Sequence, residues 1–322
     1  MRRFPILATS LFLIGCSGGG GSAPSPTQPG TGTPPPVATS PNLESETDVV
    51  YGTGLVTNSS VSLRLDIYQP SDTCPARRPF VIGIHGGGFR GGTKSDTNWV
   101  NVMQAVNDRG YAGISIDYRL VGDDPLVSAE FQPLLDDLLA RAVGVSQSQR
   151  DQLNAAVAAF EDTVTAIEWA RDNADARCLD INRFAVWGSS AGAFTALHVA
   201  HALDEYFIDR PEPAVVVDYW GDLFFQGVID ADGPPMFILH GTDDPTVDYT
   251  TSALALAAEA TSVGLPFSFY TIENGPHGFG SIDPNRVQIN GQDPLDITLD
   301  FVIAHLTDGT PLYETQTVTR TP

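Results

Sequence analysis

A short apolar run that passes through a turn of small residues into a helix-forming segment constrains the fold of this chain most strongly. The run is Phe184–Trp187, the turn Gly188–Gly192 reads Gly-Ser-Ser-Ala-Gly, and helix-forming residues begin at Ala193. Small residues around Ser190 keep Cβ atoms out of a crowded bend. This strand–turn–helix arrangement predicts an α/β sheet, with Ser190 at the head of a helix and its Oγ exposed. Taken alone, the same residues also fit an ordinary turn of an α/β protein.

Strand-like and helix-like segments alternate along most of the chain. Val61–Tyr68 alternates apolar and polar residues, which is typical of a half-exposed antiparallel strand. Denser apolar runs predict buried strands at Phe80–Ile84, Ala112–Ile116, Phe184–Trp187, Ala214–Tyr219, Met236–Leu239 and Phe267–Ile272. The predicted helices are Trp99–Asp108, Leu153–Asn173, a helix directly after the serine turn, Thr251–Val263 and Asp293–Leu306. This order predicts a mostly parallel sheet with helices on both faces.

The chain begins with the features of a secretory signal. Met1-Arg2-Arg3 supplies positive charge, and the apolar run Phe4–Ile14 is too short to span a bilayer as a permanent helix. The run leads into Leu-Ile-Gly-Cys, which resembles the lipobox of bacterial lipoproteins. We therefore predict a lipoprotein signal peptide over residues 1–15, with Cys16 as the acylated first residue of a protein anchored at the outer membrane. Ordinary cleavage near Ala23, giving a secreted or periplasmic protein, is the alternative.

Composition divides the remainder into a spacer, one large domain and a short tail. Residues 16–42 are mostly Gly, Ser, Pro and Thr, so we expect a disordered tether. Residues 43–308 suffice for one large catalytic domain, and residues 309–322 are assigned to a C-terminal tail. Residues 121–150 interrupt the strand–helix rhythm with an amphipathic segment, Phe131–Ala142, and polar flanks. We interpret them as an insertion over the carboxyl ends of the strands and as a candidate lid.

The charge balance limits the partners. The chain has 39 Asp and Glu residues against 17 Lys and Arg residues, for a formal net charge of -22 at pH 7. Such an acidic excess disfavours nucleic acid and anionic membrane surfaces. We therefore expect contact with a membrane only through the lipid anchor.

Two cysteines remain once Cys16 is assigned to lipidation. Cys74 and Cys178 each lie six residues before a predicted buried strand. If those two strands are neighbours in the sheet, a disulfide joins the cysteines, as suits an exported protein. It would contribute on the order of 4 kcal/mol by closing a loop of about a hundred residues. Two free thiols are the alternative.

Chemically suited side chains follow the predicted strand ends. A serine hydroxyl becomes nucleophilic when a base removes its proton, and the base needs an acid partner that fixes its tautomer. After Ser190 the chain offers Asp243-Asp244 just past one strand and His277 in a Gly/Pro loop just past the next. Because sites form at the carboxyl ends of parallel strands, we expect these side chains to meet Ser190. The sequence predicts a Ser–His–Asp site with His277 as base and one of the two aspartates as acid.

The other histidines fit this role less well. His198 and His201 fall on the helix after Ser190, His240 lies at a strand end before the acid pair, and His305 lies in the last helix. None of them follows the acid in a flexible loop. We expect them to pack or to make structural hydrogen bonds.

A run of three glycines follows the strand Phe80–Ile84, within His85–Phe89. Acyl transfer needs backbone N–H donors aimed at a developing negative oxygen, and glycines allow the backbone to approach closely. We predict an oxyanion hole formed by Gly87, Gly88 and the amide of Ala191. A flexible turn is the alternative reading of the glycines.

These motifs together resemble the α/β-hydrolases of the HGGG class, close to the hormone-sensitive-lipase-like and carboxylesterase families. The resemblance covers about Asp48 to Leu306. Its shared blocks are Leu65–Tyr68, His85–Phe89, Asp117–Arg119, Gly188–Gly192, His240–Val247 and Gly275–Phe279. It implies the α/β-hydrolase fold, with a mostly parallel eight-stranded sheet, and an enzyme without a metal or other cofactor.

The resemblance also bears on single residues. It places the acid at the fifth position of His-Gly-Thr-Asp-Asp, which is Asp244, and its strand order puts the strands after Cys74 and Cys178 side by side. One departure is that Val121-Gly122-Asp123-Asp124-Pro125 replaces the family's usual Ala-Pro-Glu. The family's substrate pocket is therefore not transferred to this chain.

The function that follows is hydrolysis of short-chain carboxylic esters through an acyl-enzyme on Ser190. The substrate is a small-molecule or polymer-borne ester. Three alternatives use the same residues differently: deacetylation of a polysaccharide such as acetyl xylan, hydrolysis of an amide or peptide, and a hydrolase-like binding protein without activity.

Overall fold

The structure is a computed structural model that describes residues 44–71, 73–74, 76–278, 287–307 and 309–319. The predicted signal peptide, Cys16 and the spacer up to residue 42 lie outside the described residues. Phe279, the last residue of one shared block, also lies outside them.

The described residues form one nine-stranded sheet. Its strands are β1 (Glu46–Val56), β2 (Ser59–Tyr68), β3 (Arg78–Ile84), β4 (Ala112–Ile116), β5 (Leu179–Ser189), β6 (Val215–Tyr219), β7 (Met236–Gly241), β8 (Phe267–Glu273) and β9 (Thr315–Thr319). The strand order is β1-β2-β4-β3-β5-β6-β7-β8-β9. β2 pairs antiparallel with β1 and with β4, and every later pair is parallel. The carboxyl ends of β3 and β5–β8 therefore share one edge.

Helices cover both faces of the sheet. They are α1 (Thr97–Asp108), α2 (Gln132–Arg141), α3 (Gln147–Asp172), α4 (Ala174–Arg177), α5 (Ala191–His201), α6 (Ala253–Val263) and α7 (Pro294–Leu306). Alternate residues of each central strand enter different cores. Phe80 and Ile82 of β3 pack with α2, α3, α5 and α6, whereas Val81 packs with α1 and α7. The prediction of a mostly parallel sheet covered on both faces is confirmed.

The edges of the sheet differ from the prediction. The resemblance implied eight strands, and the described residues contain nine, because Thr315–Thr319 pairs with β8 instead of ending the chain as a tail. β1, at the other edge, is a second strand that the sequence analysis did not identify. Both are edge strands, and their many polar residues hid the apolar alternation.

The insertion is shorter than expected. Its centre forms α2, as the amphipathic pattern predicted, but its polar end, Ser146–Gln152, belongs to α3. Ser146 caps that helix: its Oγ accepts the N–H of Gln149, and the Gln149 side chain accepts the N–H of Ser146. Leu134, Leu135 and Leu138 of α2 are buried in the core, so this part of the insertion belongs to the body of the domain.

A disulfide joins Cys74 to Cys178, with 5.7 Å between the two Cα atoms. β3 and β5 are neighbours, and Phe80 pairs with Phe184, so the two cysteines precede adjacent strands. The disulfide prediction is confirmed. Such bonds persist in oxidising compartments, which favours an extracytoplasmic location. In the part of the chain that the structure describes, no helix has the length and hydropathy to cross a membrane.

Candidate active site

The turn between β5 and α5 holds Ser190 in a strained conformation. Ser190 has φ 52° and ψ -123°, and its backbone N–H donates to the carbonyl of Tyr219 over 2.9 Å. A Cβ on Gly188 would overlap the carbonyl of Gly192, and a Cβ on Gly192 would overlap that of Ile84. The small residues are therefore required by the turn, as predicted. Positive φ at a residue other than glycine costs energy and is common at functional sites.

The structure brings His277 between Ser190 and Asp244. The Nε2 of His277 lies 2.9 Å from Ser190 Oγ, and its Nδ1 lies 2.7 Å from Asp244 Oδ2. Ser190 follows β5, Asp244 follows β7 and His277 follows β8. The three side chains therefore meet at the edge where the sequence analysis expected them. Such an arrangement has a nucleophile within reach of a base, and the base oriented by an acid.

Asp244, rather than Asp243, is the carboxylate that contacts the imidazole. One of its oxygens accepts the backbone N–H groups of Thr246 and Val247 over 2.8 and 2.9 Å, and the other remains for His277. The Asp244 side chain is fully buried, whereas Asp243 is exposed and receives the Thr242 hydroxyl. Backbone donors and burial hold the Asp244 carboxylate in one orientation.

His240 is a second imidazole beside the same carboxylate. Its Nε2 lies 2.9 Å from the carbonyl of Val247 and 3.3 Å from Asp244 Oδ2. Burial lowers the pKa of His240, so the neutral form is favoured. With its proton on Nε2 it donates to the Val247 carbonyl, which agrees with the structural role expected from the sequence.

The remaining histidines that the sequence analysis set aside lie away from Ser190 Oγ. Burial lowers the pKa of His198 to about 4 and that of His201 to about 3. His198 stacks on Phe160 and accepts the backbone N–H of Phe224. His305 packs on Phe301 in α7.

The glycine run enters the same cavity as Ser190. Gly87 and Gly88 have φ of +112° and +61°, and a Cβ on Gly87 would overlap the carbonyl of Gly91. Both glycines line a cavity of about 490 Å³ together with Ser190 and His277. Ala191 is the first residue of α5, so its N–H has no partner within the helix. The predicted donors Gly87, Gly88 and Ala191 therefore lie next to Ser190.

Aromatic residues form much of the cavity wall. Trp99, Tyr219 and Trp220 line it, and Trp220 lies edge-on to His277 with 6.2 Å between ring centroids. Phe89 lines a second cavity, which Ser190 also lines. Trp187 and Thr246 also line the cavity and were not anticipated. No sequence signal separates Trp187 from other strand residues, whereas Thr246 lies two residues after the acid.

Among the described residues, no group of three or more His, Cys, Asp or Glu side chains has an arrangement that would hold a metal ion. The chemistry available at this edge of the sheet is that of a hydroxyl, an imidazole, a carboxylate and backbone amides. Together, the sheet, the turn and this group of side chains are features of the α/β-hydrolase class.

Comparison with known proteins agrees with this class. Residues 154–219 match a family model described as alpha/beta hydrolase fold, and residues 65–133 match one described as BD-FAE. A probable N-octanoylanthranilate hydrolase of Rhodococcus erythropolis is 28% identical over 161 residues, which are 50% of this chain and 30% of that protein. The matched region thus spans less than a third of that relative.

Solved structures share the fold. Apo esterase 2 of Thermogutta terrifontis aligns with a TM-score of 0.59 at 22% identity, over 87% of this chain and 99% of its own. Esterase B of Lactobacillus rhamnosis aligns with a TM-score of 0.57 at 18% identity, over 81% and 87%. The chain therefore has the α/β-hydrolase fold.

Proposed function

We propose that this chain is a serine carboxylic ester hydrolase that acts on short-chain acyl esters through an acyl-enzyme on Ser190. The observation that carries the proposal is the position of His277, whose two ring nitrogens lie 2.9 Å from Ser190 Oγ and 2.7 Å from Asp244 Oδ2. This geometry lets one imidazole take the serine proton while the acid holds the ring.

The mechanism has two acyl transfers. With its proton on Nδ1, His277 donates to Asp244 and accepts the proton of Ser190 through Nε2. Ser190 Oγ then attacks the ester carbonyl, and the amides of Gly87, Gly88 and Ala191 stabilise the oxyanion. His277 gives the proton to the leaving alcohol, which breaks the C–O bond and leaves the acyl group on Ser190. Water, deprotonated by His277, repeats the sequence and releases the acid.

Two adjacent serines allow a matched test. We expect Ser190→Ala to lower hydrolysis of 4-nitrophenyl acetate and butyrate by several orders of magnitude and to abolish labelling by a fluorophosphonate probe. Ser189→Ala, one residue earlier on β5, should still be labelled. Undiminished turnover by Ser190→Ala would overturn the assignment. Absence of labelling in the wild-type protein would favour a hydrolase-like binding protein.

Amide hydrolysis is a second candidate because of one comparison. The name of the Rhodococcus relative describes an octanoyl group on nitrogen. Rates on 4-nitrophenyl octanoate and on N-octanoyl-4-nitroaniline, measured with the same protein, compare the two activities directly. A higher kcat/KM on the anilide would replace the ester proposal.

We also propose that the protein is exported and anchored through Cys16. The support is the N-terminal sequence pattern and the disulfide between Cys74 and Cys178, which suits an oxidising compartment. Metabolic labelling with palmitate tests it. Label in the wild-type chain that is lost in Cys16→Ala is the expected result, and equal labelling of both chains would contradict it.

A further inference from the structure

Two cavities meet at Ser190. The larger, about 490 Å³, and the smaller, about 300 Å³, share Gly88, Ser190 and Thr246 as lining residues. An ester bound at Ser190 therefore has space on two sides of its carbonyl carbon. The two sides differ in the residues that line them, and this difference decides which part of the ester each accepts.

His277 lines the larger cavity and is absent from the described residues that line the smaller one. In the proposed reaction the leaving oxygen receives its proton from Nε2 of His277, so this oxygen must lie on the His277 side of the tetrahedral carbon. The acyl substituent is bonded to the same carbon and points away from the leaving oxygen. It therefore extends toward the other cavity, which Ala191 lines.

The walls indicate the chemistry of each part. Trp99, Trp187, Tyr219 and Trp220 line the larger cavity, with ring centroids of Trp187 and Tyr219 5.2 Å apart, and the exposed Asp96 and Asn98 are also among its lining residues. Aromatic walls favour a flat ring, because rings pack edge-to-face or offset against each other. The smaller cavity is lined mostly by apolar side chains, including Phe89, Leu153, Phe194, Phe224 and Val247.

We infer that the larger cavity binds the alcohol portion of the ester and selects an aromatic ring, whereas the smaller cavity binds the acyl chain and limits its length. This inference rests on the proposed ester hydrolase function. It makes Leu153 and Trp99 specificity-determining positions for different halves of the substrate. Leu153 is half-buried in the lining of the smaller cavity, and Trp99 is buried in the lining of the larger one.

Two substitutions test the inference. Leu153→Trp fills the smaller cavity, and Trp99→Leu removes an aromatic ring from the wall of the larger one. One substrate series varies the acyl chain from acetate to octanoate on 4-nitrophenol. The other compares benzyl acetate with heptyl acetate, whose alcohols have the same number of carbons and are both primary. Ratios of kcat/KM within one variant do not depend on the fraction of folded protein.

The expected results are opposite for the two variants. Leu153→Trp should lower the octanoate-to-acetate ratio at least tenfold and leave the benzyl-to-heptyl ratio within about twofold of wild type. Trp99→Leu should lower the benzyl-to-heptyl ratio several-fold and leave the acyl profile in place. The wild-type protein should itself prefer benzyl over heptyl acetate, by several-fold for one aromatic contact.

Three results would overturn the inference. They are exchanged effects of the two variants, equal effects of each variant on both series, and no effect of either variant on its own series. Failure of the ester hydrolase proposal itself is recognised separately, because wild-type turnover of 4-nitrophenyl acetate would then not depend on Ser190.

Discussion

Asp243 and Asp244 are adjacent in sequence and have opposite environments. Asp244 is buried, accepts two backbone N–H groups and faces His277, whereas Asp243 is exposed and contacts Thr242. Residue type and spacing could not separate them, because both follow the same strand end. The family pattern selected Asp244 in advance, and the direction in which the turn places each side chain explains why.

The two aspartates provide an internally controlled substitution. We expect Asp244→Asn to lower kcat of ester hydrolysis by about 10⁴-fold, because an amide in that place favours the wrong imidazole tautomer. Asp243→Asn should stay close to wild type. Stopped-flow or steady-state rates on 4-nitrophenyl butyrate measure both. A comparable loss in the two variants would mean that the turn as a whole, and not the Asp244 carboxylate, supports the reaction.

Asp218 on β6 makes the stability of the fold pH-dependent. Burial raises its pKa to about 8, against the lowering effect of the Gly221 N–H that its carboxylate accepts. Because the pKa of Asp218 is higher in the folded than in the unfolded chain, its protonated carboxyl contributes its full stability below about pH 4. This contribution is lost as pH rises through about 8. The Asp218→Asn variant mimics the protonated form at every pH, so its stability does not fall as pH rises through about 8.

The stability difference between Asp218→Asn and wild type should therefore shift in favour of the variant between pH 5 and pH 8. The shift is at most about 1.4 kcal/mol per pH unit. Urea unfolding of both proteins at the two pH values measures it. An identical difference at both pH values would show that Asp218 keeps the same protonation state in the folded and unfolded chain.

The site was more predictable at the catalytic positions than along the cavity walls. Ser190 and His277 could be found because each follows a recognisable strand end, and the topology brings strand ends together. Trp187 could not, since a buried tryptophan in a strand fits any core. Its place on the wall of the larger cavity depends on the packing of α1 and β6 around it.

Among the elements, central strands were predictable and edge strands were not. β3, β4 and the second half of β5 are buried on both faces and appear as apolar runs, whereas β1 interrupts its apolar residues with Glu, Asp, Thr and Gly, and β9 has a single apolar residue. α3 starts earlier than expected because its first turns are polar and exposed. The Ser146 and Gln149 pair was a sequence signal for that start.

The lid function of residues 121–150 stays a prediction, and the structure narrows where to test it. Deleting Leu126–Val145 would remove three buried leucines of α2, and it would also remove the Leu126 carbonyl that the buried Arg119 guanidinium binds. Such a deletion reports on folding as much as on substrate access. Val145, just before α3, and Gln149, in the first turn of α3, line the smaller cavity beside Ser190, so the C-terminal end of residues 121–150 contacts the site.

The disulfide between Cys74 and Cys178 stabilises the fold at a distance from the chemistry. It closes a span of 104 residues and lies before the start of β3 and β5, at the opposite end of these strands from Ser190. We expect a double Cys→Ala variant to lose roughly 4 kcal/mol of stability, which lowers Tm by roughly 10 °C. Ester hydrolysis at 25 °C should be retained. Reductant should lower the Tm of the wild-type protein and leave the Tm of the variant unchanged. Equal Tm values for the two proteins without reductant would contradict the prediction.

At the scale of the whole molecule, charge is the property that composition determines and topology does not. The 39 Asp and Glu residues outnumber the 17 Lys and Arg residues by 22, although some pair locally, as Arg119 does with Asp162. Excess charge of one sign opposes the compact state through self-repulsion. Salt screens this repulsion over about 10 Å at 0.1 M. The fold should therefore gain stability from salt, while its exposed ion pairs lose a smaller amount.

The gain in stability from screening can be separated from other effects of salt by changing the net charge of the protein with pH. At pH 7 we expect the urea midpoint to rise between 0.05 and 0.5 M NaCl. Near pH 4.3, where the calculated net charge is close to zero, the same salt step should have little effect. An equal rise at both pH values would point to a general salting-out effect on apolar surface. A fall at pH 7 would mean that exposed ion pairs, such as that of Arg141 with Asp137, outweigh the repulsion.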